Sequence, residues 1–313
     1  ARGCEAWLEE GAPGHGAPQE LCIEDRCVDP RVTGLVVFDD DSKILGVQGL
    51  FAVHGTSLGS TVDHYNPDWA GPAARVAAEH LADRGHDAVV GWACGAAGDM
   101  SPVPQPPGRT DDGPRPKVQG QELANAVGER VGEALARAAE EASSASFDLA
   151  AALHVWNVSE SGLPGARFGL ATLGGAIDGQ HPVLFPIVGR GVRKSVYGKN
   201  HPQYPKMPAI PGFLMNRWAP SELPLQVVRI GTHAMATVPG EPSVATAWRL
   251  EQALCALDGI ETASVVGYSG EYAGYWTTPE EYDEQLYQGA STLYGRQATP
   301  ALIEQLVRVA ERM

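Results

Sequence analysis

The chain has 313 residues, 43% of them apolar, and a formal charge of −15 at neutral pH. That length suits one large domain or two small ones, and the acidic balance repels phosphate backbones and anionic lipid, so nucleic acid is not an expected partner. No apolar run approaches the roughly 20 residues of a membrane-spanning helix, so no integral membrane segment is expected.

The chain opens ARGCEAW, with neither an initiator methionine nor a leader, which reads as a processed or trimmed product. Residues 8–31, rich in Gly, Pro and acids, read as a loop. Of the five cysteines, none has CxxC spacing, which argues against a zinc–thiolate site. Cys22 and Cys27 are spaced for a local disulfide if the compartment is oxidising; the sequence does not fix the compartment.

Gly34–Phe38 and Lys43–Val53 predict two strands around the polar turn Asp39–Ser42, a hairpin that delivers His54 at its end. A helix follows over Ala70–Arg84, with Val76, Ala77, His80 and Leu81 at helical spacing. Ala88–Ala93 is a strand of buried type, running into Gly95–Met100. Pro102–Pro116 is a Pro/Gly loop, Gln119–Ala142 an amphipathic helix and Phe147–Asn157 a strand. From Ser159 to Glu222 there is little periodicity and much Gly and Pro. A connection that long is functional, or it packs on its own aromatics, here Tyr204, Phe213 and Trp218.

Leu225–Ile230 and His233–Val238 flank Gly231-Thr232 as a tight hairpin, and Ser243–Leu257 is a helix. Thr262–Gly267 is a strand that leads into YAGYWTTPEEYDEQLYQGASTLYG, Tyr272–Gly295. There Thr277 or Thr278 caps a helix over Pro279–Gln288, with Pro279 at its first position and Glu280 and Glu281 at the positive end of the dipole. Tyr272 and Tyr275 precede that helix; Tyr282 and Tyr287 lie on it. Ala298–Arg312 closes the chain as a helix. Strands and helices alternate irregularly, and antiparallel hairpins recur. The expected fold is α/β, with mixed sheets flanked by helices in a single catalytic domain spanning 1–313.

His54, Glu241 and Tyr275 each follow a predicted strand, where rigid scaffolds place reactive groups. Imidazole, carboxylate and phenolate are all possible zinc ligands. Taken singly, each also has a structural reading: a hydrogen-bonded histidine, a carboxylate at a helix start, a half-buried ring with a wet hydroxyl.

The tyrosine-rich stretch resembles the signature of the neutral, non-lysosomal ceramidases. FAVHGTS at Phe51–Ser57, GAAGDMSP at Gly95–Pro102 and LPLQVVRIG through VPGEP at Leu223–Pro242 match that family in the same order. The resemblance implies a Zn2+-dependent amidohydrolase that cleaves the N-acyl amide bond of ceramide or of another N-acylated small molecule or lipid. It implies zinc ligation by His54, Glu241 and Tyr275, an essential role for Ser101, and oxyanion donation by Arg2 and Tyr287. Val103 stands where the family has asparagine after its Ser-Pro. The family's remaining zinc ligand is a histidine in a front segment that these residues do not contain. The expectation is therefore a two-chain enzyme in which a second polypeptide carries that segment. The alternative is a non-catalytic scaffold or regulatory subunit that keeps the same fold.

Overall fold

The computed structural model describes residues 22–23, 26–59, 62–102, 120–143, 147–176, 179–189, 191 and 195–313. The predicted loop over Pro102–Pro116 falls, after Pro102, outside them, as does Arg2. The described residues gather into two compact units. One holds Pro30–Gly95 and Met100–Ser146; the other holds Ala96–Asp99, Phe147–Met313 and the described residues up to Asp29.

Where a loop is expected over 8–31, two short strands, β1 (Cys22–Ile23) and β2 (Arg26–Cys27), pair antiparallel with Cys22 opposite Cys27. The first larger sheet contains β3 (Thr33–Phe38) and β4 (Ile44–Phe51), antiparallel as expected. After helix α1 (Ala70–Ala82), strand β5 (Val89–Cys94) returns parallel to β4, making a three-stranded mixed sheet. Helix α2 (Gln121–Glu141) buries Ala124, Gly128, Val131, Leu135 and Ala139 along one stripe at helical spacing. Its core is apolar: Ile44, Val47, Ala77, Leu81 and Leu135 pack together. Helices α1 and α2 approach closely because Gly132 has no side chain; a Cβ there would lie 2.5 Å from the carbonyl oxygen of Ala73.

The second unit begins with β6 (Leu149–Asn157). The expected irregular excursion follows, with short helical turns at Val158–Glu160, Leu170–Gly174 and Phe185–Gly189. It also contains one helix that periodicity did not reveal, α3 (Gly212–Trp218), which is too short to show a repeat. Strands β7 (Glu222–Ile230) and β8 (His233–Thr237) form the hairpin around Gly231, whose φ of 59° suits glycine at that turn. A two-residue strand, β9 (Glu241–Pro242), leads into helix α4 (Val244–Cys255), capped by Ser243. Strand β10 (Thr262–Val266) pairs parallel with β8, completing a four-stranded sheet in the order β10-β8-β7-β6. Leu225, Val227, Ala236, Leu250, Leu302 and Leu306 fill its core.

The tyrosine-rich stretch departs from expectation in one respect. A two-residue strand, β11 (Tyr275–Trp276), is followed by α5 (Pro279–Glu284), where the Thr278 cap and the Pro279 start appear as read from the sequence and Glu281 completes a capping box. The expected run to Gln288 is cut short. Gln285 adopts left-handed backbone at φ 49°, and a new helix, α6 (Tyr287–Ser291), starts behind it. Tyr287 therefore opens a second helix instead of continuing the first. The chain closes on α7 (Ala298–Ala310).

Candidate functional site

In the second unit the site is built on the parallel pair β9 and β11, which sets Tyr275 directly opposite Glu241. Two glycines make that pairing possible. Gly240 has φ 138°, and a Cβ on it would lie 2.2 Å from the Gly274 carbonyl oxygen; Gly274 has φ 73°. The Glu241 amide donates to that same carbonyl at 2.9 Å. Trp276, 1% exposed, anchors the second strand by donating its indole N–H to Pro239 O at 3.0 Å.

Glu241 and Tyr275 are buried, at 6% and 8% exposure. The Tyr272 hydroxyl donates to Glu241 Oε1, and its ring stacks on Tyr268. Tyr275 lies opposite Glu241 across the strand pair, and the Tyr287 ring meets the Tyr275 ring edge-on at 5.5 Å between centroids. Burial, reinforced by the Glu241 charge, pushes both the Tyr275 and Tyr272 phenols well above the ordinary tyrosine range. A buried carboxylate thus faces protonated phenols. Of the expected residues in this unit, Glu241, Tyr275 and Tyr287 come together. Tyr272 joins them, and the Tyr-x-x-Tyr spacing was the signal for it.

The GAAGD segment supports this base. The chain's own strand fills the space in front of Gly98. The Gly98 amide donates to Pro242 O at 2.9 Å, and a Cβ there would lie 2.8 Å from the Glu241 carbonyl oxygen. Asp99 accepts from the Val244 amide at 2.9 Å at the start of α4. Burial, with Glu281 nearby, pushes its carboxyl up to about 7 against the pull of that amide. Glu281 accepts from Ser243 Oγ at 2.7 Å and from the Thr278 amide at 2.7 Å.

In the first unit, His54 lies just beyond β4, half-buried, and its amide donates to Met100 O at 3.0 Å. That bond sets the His54 backbone beside the residue preceding Ser101. The loop after His54 is held by Asp68, which accepts from the Leu58 amide at 2.9 Å.

Among the described residues, no three His, Cys, Asp or Glu side chains gather around a common point. What gathers in the second unit is a carboxylate with phenol oxygens. Such hard donors suit a divalent cation that takes oxygen and imidazole ligands, provided the phenol yields its proton to the incoming ion.

Comparison with known proteins gives the following. A family model for "Neutral/alkaline non-lysosomal ceramidase, N-terminal" matches residues 176–304. A neutral ceramidase of Mycobacterium tuberculosis is 31% identical over 327 residues, covering 95% of this chain and 51% of that protein. One of Pseudomonas aeruginosa is 42% identical over 81 residues, 25% of this chain and 12% of that protein. Among solved structures, "Ceramidase complexed with C2" superposes with a TM-score of 0.75 at 22% identity, over 99% of this chain and 52% of that one. The P. aeruginosa neutral ceramidase crystal structure superposes with a TM-score of 0.70 at 24% identity, over 98% of this chain and 50% of that one. These likenesses match the mixed α/β architecture, and the chain spans about half the length of the full-length proteins it matches.

Proposed function

The chain belongs to the neutral/alkaline non-lysosomal ceramidase family, and from that premise we propose that it is a zinc-dependent amidohydrolase acting on the N-acyl amide bond of ceramide or a ceramide-like lipid. The observation that supports the chemistry is the register of β9 on β11, which buries the Glu241 carboxylate against the Tyr275 phenol. Zinc would be held by His54, Glu241 and Tyr275, with a further ligand from the part of the family fold outside these residues. His54 enters this reading from its motif alone. The chemistry zinc would supply is polarisation of the amide carbonyl and a water made acidic towards a pKa of ~7.

The chain's own residues do the rest. Tyr272 fixes the Glu241 carboxylate in one orientation through its hydroxyl. Tyr287, whose ring leans on Tyr275, is the proposed donor to the oxyanion of the tetrahedral intermediate, together with Arg2. Ser101 is the proposed catalytic hydroxyl.

The test is metal analysis and turnover of a fluorescent ceramide by the assembled enzyme. Expected are about one zinc per complex, activity lost on chelation and regained with zinc, and a Glu241→Gln variant at least about 100-fold slower with its fold kept. An assembled complex without metal or turnover selects the alternative, a scaffold or regulatory subunit.

A further inference from the structure

Lys206 is fully buried, at 0% exposure, in the excursion between β6 and β7. A lysine without water needs partners, and its Nζ has three. It donates to the Thr292 carbonyl and, at 3.0 Å, to the Arg167 carbonyl, and it lies 4.9 Å from the centre of the Tyr282 ring. Burial, with Arg167 nearby, pulls its pKa well below the ordinary lysine range. Filling this space with an apolar side chain would avoid that cost, so the amine calls for an account beyond packing.

The account lies in what Lys206 holds. Thr292 bridges to Gly274, and its hydroxyl shares a hydrogen bond of 2.8 Å with Thr277 Oγ1. Gly274 carries the carbonyl that fixes the Glu241 amide, and Thr277 directly follows the Tyr275–Trp276 strand. Gln203 repeats the arrangement three residues earlier. Its side-chain amide donates to Leu293 O at 2.8 Å and to Gly165 O at 2.9 Å, while Tyr282 donates to its side-chain oxygen at 2.9 Å. The excursion is thus bolted by two buried polar side chains onto Thr292–Leu293, the segment backing Tyr275 and Glu241.

We propose that Lys206 is a positioning residue: by holding the Thr292 carbonyl it sets, through Gly274 and Thr277, where the Tyr275 phenol and the Glu241 carboxylate stand. The inference rests on the hydrolase reading for its effect on rate, but not for its effect on geometry. Lys206→Met keeps the length of the side chain and removes its donors.

The experiment compares wild type, Lys206→Met and the core variant Leu306→Ala, a site on α7 outside this network, in the assembled enzyme. Tyrosine labelled with 13C at Cζ reports the hydrogen bonding of Tyr275 and Tyr287, and a fluorescent ceramide reports turnover below the melting transition. In Lys206→Met the Tyr275 and Tyr287 resonances are expected to move and kcat to fall about 10-fold with KM within about 2-fold. In Leu306→Ala both stay as in wild type. If Lys206→Met leaves the resonances in place, or moves them no more than Leu306→Ala does, the proposal is overturned. If Lys206→Met does not fold, Thr277→Val breaks the same link at its other end, and wild-type resonances in that variant overturn the proposal equally. An inactive wild type sinks the hydrolase reading and leaves the resonance test to decide this one.

Discussion

Under the three-stranded sheet, α1 and α2 bury Ile44, Val47, Ala77, Leu81 and Leu135; the four-stranded sheet buries Leu225, Val227, Leu250 and Leu302 in the same manner. Each is an apolar sheet backed by helices. They part company in their buried polar groups. In the first unit, among the described residues, these are Ser57 and Asp68, both in the segment that follows His54. In the second they include Glu241, Ser243, Thr277 and Thr278, on or next in the chain to the β9–β11 strands, and Thr292 and Lys206, which bond to Thr277 and to Thr292 respectively. Apolar burial builds both sheets and says nothing about chemistry. Polar burial costs free energy unless each group finds partners, so it marks where the chain is being held to a particular geometry.

Three substitutions sharpen or break that contrast. The largest effect belongs to the apolar layer. Leu135→Ala should cost about 2–5 kcal/mol of stability, measured by denaturant unfolding, while turnover per folded molecule stays within about 2-fold of wild type. Loss of turnover without loss of stability would mean that the apolar layer of the first unit serves the site directly. Next is Thr278→Ala, which removes the cap of α5 and its share of the capping box with Glu281. About 1 kcal/mol should be lost, and turnover should fall as well, because the cap lies within the polar network. Unchanged turnover would separate α5 from the site.

The smallest effect is one of pH. The Asp99 carboxyl is raised from 3.8 to about 7 in the folded chain. Between those values the folded state holds a proton that the unfolded state has released, so this contribution is present at low pH and is lost as pH rises through about 7. Asp99→Asn cannot ionise and still offers an oxygen to the Val244 amide. Its melting temperature relative to wild type should therefore climb between about pH 4 and about pH 7 and level off above. A difference that is flat over that range, or that falls, would show that Asp99 is not held in its neutral form.

Much of the fold was legible from neighbouring residues. The hairpin at Gly231, the strands of both sheets and the Thr278-Pro279-x-Glu281 start of α5 all stand where local signals put them. The motif match also brought the family, and within the second unit three of its expected residues, Glu241, Tyr275 and Tyr287, do gather. Other features left no such signal. Gln285 has the composition of a helix residue, yet its left-handed backbone ends α5. Lys206 sits in a run of prolines with nothing nearby to announce that it is buried.

Where a helix starts or a chain turns is decided by groups within a few residues, so capping, proline and glycine signals in the sequence were sufficient for those features. Whether β5, β10 and β11 pair parallel, what fills the space in front of Gly98, and which carbonyls receive the Lys206 amine depend on partners distant along the chain. The energy of those contacts exists only once the segments have met, and so the tertiary structure alone decided them.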